Sequence, residues 1–159
     1  MDNFEKLYKK SLHFLSFRPR SEKEVRDYLK KNKADSEHLE KIINSLKKSK
    51  FLDDEEFAKW WIEQRTLINP RALRVIKLEL RKKGISEETV DSAISAFQSS
   101  DSVDFDSALK LAEKRVERLK NEIPQKKREK LLRYLSSRGF NYETIKDVVD
   151  RVLTKRYNT

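Results

Sequence analysis

The residues along this chain most able to do chemistry are four acids in a row, two histidines, two adjacent tryptophans and an excess of cations. Asp53, Asp54, Glu55 and Glu56 could hold a divalent cation, but they stand directly before an apolar run with helical spacing. At that place Asp53 caps a helix, Glu56 completes a capping box, and the charges complement the helix dipole. No histidine lies near them in sequence, so a metal site is not expected. His13 and His38 each fall within a helical pattern, have no matching ligand or nucleophile, and read as surface or boundary residues. The chain has no cysteine and only 2 glycines, which removes thiol nucleophiles, thiolate zinc sites, disulfides and a Gly-rich phosphate loop. No catalytic arrangement emerges. The expectation is a protein that is not an enzyme and takes no cofactor.

The chemistry that remains is electrostatic. Lys and Arg number 37 against 27 Asp and Glu, a net charge of +10. A polyanionic partner, most simply nucleic acid, matches that balance because each neutralised phosphate releases counterions. The cations gather on the middle helix of each of three similar segments. Lys23 and Arg26 lie on the first such helix, with Arg18 and Arg20 just before it. Arg71, Arg74, Lys77, Arg81, Lys82 and Lys83 lie on the second, preceded by Arg65. Lys127, Arg128 and Arg133 lie on the third, with Arg138 just beyond. These fifteen residues are the candidate binding set, read as one continuous basic track. At about 100° per residue, Leu73, Ile76 and Leu80 share one stripe and Arg74, Lys77 and Arg81 an adjacent one. Val75 and Leu78 lie on a third side, free to pack between repeats or against a protein partner. Such a track positions phosphates and reads no bases. Trp61 stacks one turn above Phe57 and is expected in the core, and core packing is also the favoured reading of Trp60, although it could stack on an unpaired base.

The elements that carry these residues are helices. Only 36% of the residues are hydrophobic and 40% are charged, which suits narrow apolar stripes. The pattern is written three times. Val25 and Leu29, Ile76 and Leu80, and Leu131 and Leu135 anchor the middle helices. Leu39, Ile43 and Leu46, then Val90, Ile94 and Phe97, then Ile145, Val149 and Val152 anchor the third helices. The offset is 51 between the first two copies and 55 between the second and third, in both helices. Asp35, Ser86 and Asn141 fall at equivalent positions and are all good helix caps. Self-similarity of this kind predicts an all-α fold of three tandem three-helix repeats, 1–50, 51–100 and 101–159, in an elongated, curved array. The first helix is expected near Phe4 to Ser16, and Ser21 with Glu24 forms a capping box for the next. The helix carrying Phe57 should end about Thr66. Pro70 suits the first turn of the basic helix that follows, and Gly84 and Gly139 act as left-handed stops. Gln98 to Ser102 reads as a linker. No apolar run approaches the ~20 residues of a membrane span and the N-terminus has no signal-peptide core, so a cytoplasmic monomer with no membrane partner is expected.

Phe51-Leu52-Asp53-Asp54-Glu55-Glu56-Phe57-Ala58 and Glu79-Leu80-Arg81-Lys82-Lys83-Gly84-Ile85 are similar to the "(Y/F)LDD-x-x-FA" and "EL-x-x-KGI" segments of the bacterial RecX family, modulators of the RecA recombinase. Ser11-Leu12, Leu15-Ser16, Arg18 and Ser21 to Leu29 look like "AL-x-x-LS-x-R-x-x-S-x-x-E(L/V)-x-x-x-L". Tyr134-Leu135 with Arg138-Gly139-Phe140 resembles the closing "(F/Y)L-x-x-RGF". Two places depart: Asn32-Lys33-Ala34 stands where a KGF-like stop is usual, and Leu67-Ile68-Asn69-Pro70 replaces a glycine-rich turn. The resemblance implies a regulator that binds RecA filaments and single- and double-stranded DNA and limits recombinase, ATPase and coprotease activities. The fifteen cations would then be its nucleic-acid- and filament-binding residues. The residues alone leave open a general DNA-binding protein with helix-turn-helix-like units, or a helical adaptor for another acidic protein.

Overall fold

The computed structural model describes residues 2–97 and 100–155. Among them are nine α-helices and one π-helix, with no strand. The helices are α1 (Asn3–Ser16), α2 (Glu22–Lys31), α3 (Ser36–Lys48), α4 (Asp54–Glu63), α5 (Leu73–Lys82), α6 (Glu87–Phe97), α7 (Ser100–Arg118), α8 (Pro124–Ser137) and α9 (Tyr142–Lys155). The π-helix, Gln64–Ile68, continues α4. Residues 1–61 and 79–93 form one compact unit; residues 62–78 and 94–159 form the other.

The core of the first unit gathers Leu7, Val25, Leu29, Leu39, Ile42, Ile43, Leu46 and Leu52. In the second, Leu131 and Leu135 of α8 meet Ile145, Val149 and Val152 of α9 and Leu111 and Val116 of α7. Every anchor of the threefold pattern is buried except Phe97, which is half-buried.

The third helix of each repeat begins in the same way. The side chains of Asp35, Ser86 and Asn141 accept hydrogen bonds from the N–H groups of His38, Thr89 and Thr144, at 2.8, 3.2 and 2.8 Å. The second helix of each repeat ends in the same way too. The N–H groups of Ala34, Ile85 and Phe140 donate back to the carbonyls of Leu29, Leu80 and Leu135, at 3.0, 3.1 and 3.4 Å. Lys33, Gly84 and Gly139 supply the left-handed residue just before, with φ of 61°, 79° and 93°. This is the Schellman stop, which satisfies carbonyls the helix leaves open. Lys33 therefore adopts the turn that glycine makes at the other two positions.

Two close junctions explain those glycines. In the first unit, Asp54 Oδ1 accepts the Glu22 N–H at the start of α2 (2.8 Å), and a Cβ on Gly84 would lie 2.6 Å from Lys23 Cβ. In the second unit, Asp104 Oδ1 accepts the Leu73 N–H at the start of α5 (2.8 Å), and a Cβ on Gly139 would overlap Val75 Cγ2. One junction is thus built twice. An acid near the start of the next repeat caps a middle helix, and a later glycine lies against that same end.

Three expectations change. Pro70 is not in the first turn of α5, which starts at Leu73 because Asp104 and the Arg138 carbonyl take the Leu73 and Ala72 N–H groups there. The helix carrying Phe57 does not stop at Thr66 but widens into the π-helix, where the Thr66 hydroxyl donates to the Ile62 carbonyl at 2.8 Å. Of the expected linker, Gln98 and Ser99 lie outside the described residues, while Ser100 to Ser102 form the first turn of α7. Buried Val103, Ser107, Ala108 and Leu111 give that turn a helical stripe to join.

Gly139→Ala should lower stability by about 2 kcal/mol, since it adds both left-handed strain and overlap with Val75. Lys33→Gly should instead raise it by about 1 kcal/mol, because Lys33 is exposed and only loses strain. Urea unfolding midpoints check both. Equal shifts for the two variants would contradict the junction.

Candidate anion-binding interface

Most cations of the sequence-derived set in the first unit already hold a carboxylate. Arg18 donates to Glu24 through both terminal nitrogens, at 2.5 and 3.3 Å, and Lys83 Nζ reaches the same carboxylate at 2.7 Å. Arg26 lies between Glu22 at 3.0 Å and Glu40 at 2.6 Å. Lys23 pairs with Asp27 at 2.8 Å and Arg81 with Glu87 at 2.6 Å. Arg20 donates to the Phe14 carbonyl and its guanidinium sits 4.0 Å over the Phe14 ring. Lys82 is exposed with no carboxylate partner among the described residues.

Glu24 is the hub of these pairs and also closes the Ser21 capping box. Burial alone would raise its pKa. Hydrogen bonds from Arg18, Lys83 and the Ser21 N–H outweigh that and hold it at about 2. For Arg26 the Glu40 hydrogen bond leads, and its proton is held more tightly than usual. The acidic run serves helix starts: Asp53 accepts from the Glu55 and Glu56 N–H groups, and Asp54 from Glu22. Burial pushes the Asp54 carboxyl up. Trp61 is buried, its Nε1–H donating to Glu79 at 2.9 Å, whereas Trp60 is half-buried.

In the second unit the set is divided. Arg128 pairs with Asp150 at 2.6 Å. Arg74 donates from Nε to the Gly139 carbonyl, and Arg138 to Asn69 Oδ1 at 2.8 Å. Arg65, Arg71 and Lys77 are half-buried. Lys127, half-buried, and Arg133, exposed, have no carboxylate partner among the described residues. Val75 is spent against Gly139, while Leu78 stays half exposed.

Sequence reasoning missed one group of cations that have no carboxylate partner among the described residues. It lies on α7, the first helix of its repeat, where Lys110, Lys114 and Arg118 follow one another at i, i+4 and i+8 with Arg115 beside them. Lys110, Lys114 and Arg118 have no carboxylate partner among the described residues, and Arg115 lies 4.6 Å over the Tyr134 ring. Together with Arg138 they border a recess of about 310 Å³ whose lining contains no carboxylate. Leu67, Ile68, Asn69 and Pro70 form its other wall. The helical spacing was the available signal. It was masked by Glu113 and Glu117, which keep the net charge of the segment modest.

Comparison with known proteins agrees with this architecture. Models of the first, second and third three-helix domains of RecX match residues 8–46, 53–94 and 102–149. The Regulatory protein RecX of Oceanobacillus iheyensis is 33% identical over 153 residues, covering 96% of this chain and 56% of that protein. That of Bacillus licheniformis is 35% identical over 144 residues, 91% of this chain and 54% of that one. The chain spans about half the length of the curated relatives it matches. The crystal structure of RecX from Lactobacillus salivarius superposes with a TM-score of 0.74 at 27% identity, over 94% of this chain and 96% of that one.

Because the Glu24 pKa is depressed from 4.5 to about 2, its contribution to stability is present above pH 4.5 and is lost as pH falls towards 2. Glu24→Gln should cost about 2 kcal/mol at neutral pH, leaving Arg18 and Lys83 without their shared partner. That cost should shrink steadily across the same pH interval in thermal unfolding. A cost independent of pH would contradict the role given to the carboxylate.

Proposed function

The chain belongs to the RecX family, and on that footing we propose a non-enzymatic regulator that binds RecA–DNA filaments and limits recombinase, ATPase and coprotease activity. The observation that carries this reading is the ordered match of all three RecX three-helix domains along one chain. The net charge of +10 supports a polyanionic partner, single- or double-stranded DNA within the filament. Cations without carboxylate partners, Lys82, Lys127 and Arg133, can take phosphates directly. Paired ones, such as Arg26 and Arg81, must first exchange a carboxylate for a phosphate, which weakens their contribution.

Regulation on this reading needs no bond making or breaking. Residues 1–50, 51–100 and 101–159 act as linked modules, each binding weakly and together binding with avidity. A protein that prefers one filament state, or that blocks subunit addition, shifts assembly by its differential affinity alone. It would act as a cytoplasmic monomer; no described helix is long and apolar enough to cross a membrane.

Added at a stoichiometric ratio to RecA on single-stranded DNA, the chain should suppress ATP hydrolysis and strand exchange. Replacing Lys82, Lys127 and Arg133 together by Glu should weaken that effect about 10-fold or more, with helicity retained. Unchanged ATPase and strand exchange with the wild-type chain would refute the regulatory reading and leave a general DNA-binding protein.

A further inference from the structure

The recess beside the π-helix differs in kind from the basic middle helices. Five cations border it, Lys110, Lys114, Arg115, Arg118 and Arg138, and none has a carboxylate bond among the described residues. Its opposite rim is apolar and open: Leu67 is 60% exposed and Ile68 72%. Concentrated positive charge facing two bare aliphatic side chains suits an occupant that is both anionic and apolar.

A nucleic-acid strand offers phosphates and aromatic bases, and binding one without reading its sequence calls for an open groove with ring faces for stacking. The single ring here, Tyr134, is already engaged by Arg115 at 4.6 Å and Arg138 at 5.3 Å. No aromatic platform is left, and Leu67 and Ile68 have nothing to offer a phosphate. A protein segment carrying carboxylates beside an aliphatic side chain uses both halves. Guanidinium planes donate paired hydrogen bonds to carboxylates, while the aliphatic group fills the rim. A recess of about 310 Å³ is the size of one or two side chains rather than of an extended strand.

The wall is held in place locally. The Asn69 N–H closes the wide turn on the Gln64 carbonyl at 3.1 Å, the Arg71 N–H bonds the Arg65 carbonyl at 2.9 Å, and Asn69 Oδ1 accepts from Arg138 at 2.8 Å. π-helical turns inside longer helices recur at functional sites, because the extra residue redirects the side chains that follow. Here those side chains are Leu67 and Ile68.

We propose that this recess docks an acidic, aliphatic-bearing protein segment on the recombinase of the filament, so that α7 and the π-helix contact protein while Lys82, Lys127 and Arg133 contact DNA. The proposal rests on the filament reading above and assigns a partner surface within it. Its test uses the full chain and two probes, a naked oligo(dT) strand and a RecA filament assembled on the same strand. Two double variants are compared with wild type: Leu67→Ser with Ile68→Ser, and Lys114→Ala with Arg118→Ala. All four residues are exposed, so the fold should survive, and circular dichroism checks it. Both variants should bind the filament at least about 10-fold more weakly, and the Leu67/Ile68 variant should bind oligo(dT) within about 2-fold of wild type. Equal losses on both probes would make the recess a nucleic-acid site and overturn the proposal. Filament binding at wild-type strength by the variants would also overturn it, and it alone. Absence of wild-type binding to the filament would end this proposal together with the filament reading.

Discussion

Each of the two junctions in this structure depends on a carboxylate from one repeat capping the start of the preceding repeat's basic helix. Asp54 does so for α2 and Asp104 for α5. A helix start presents amide donors that must be satisfied, and the acid also complements the dipole there. At each capped end a side chain of that helix comes so close that only a glycine fits opposite it. Gly84 lies against Lys23 and Gly139 against Val75, and both glycines are also the left-handed stops of their own helices. A single residue thus ends one helix and admits the approach of another. Lys33 has only the first duty, and there a lysine suffices.

Charge is organised around the same helices. A chain of net charge +10 needs internal relief, and Glu22, Glu24, Glu40 and Asp150 supply it to Arg18, Arg26, Lys83 and Arg128. Several middle-helix cations are thereby committed to carboxylates within the fold, whereas Lys82, Lys127 and Arg133, and Lys110, Lys114 and Arg118 of α7, have none among the described residues. On the proposed reading, function is divided between middle-helix cations without carboxylate partners and a recess in which charge and apolar surface meet.

The helical fold was legible because its signals are local. Apolar spacing, Asp35, Ser86 and Asn141 as caps, and Gly84 and Gly139 as stops each act within a few residues, and the offsets of 51 and 55 repeat them. What escaped depends on contacts distant in sequence or on small energy differences. The start of α5 at Leu73 is set by Asp104, 31 residues away. The π-helix coincides with a hydroxyl bond from Thr66 to the Ile62 carbonyl, and no composition signal announces it. The candidate site was read from charge density alone, which cannot separate a cation held by Glu24 from one held by nothing. Lys110, Lys114 and Arg118 escaped it because Glu113 and Glu117 lower the charge density of their segment, although their spacing on one helix face is in plain view.

On the proposed reading, this chain grips a filament through protein as well as through phosphate. The salt dependence of affinity measures that most directly, by comparing the slope of log K against log salt for naked single-stranded DNA and for the RecA filament on the same DNA. Phosphate contacts alone lose affinity steeply as counterions compete, whereas an apolar protein contact does not. A clearly shallower slope and stronger residual binding are expected for the filament. Identical slopes on the two probes, with affinity vanishing together, would contradict it.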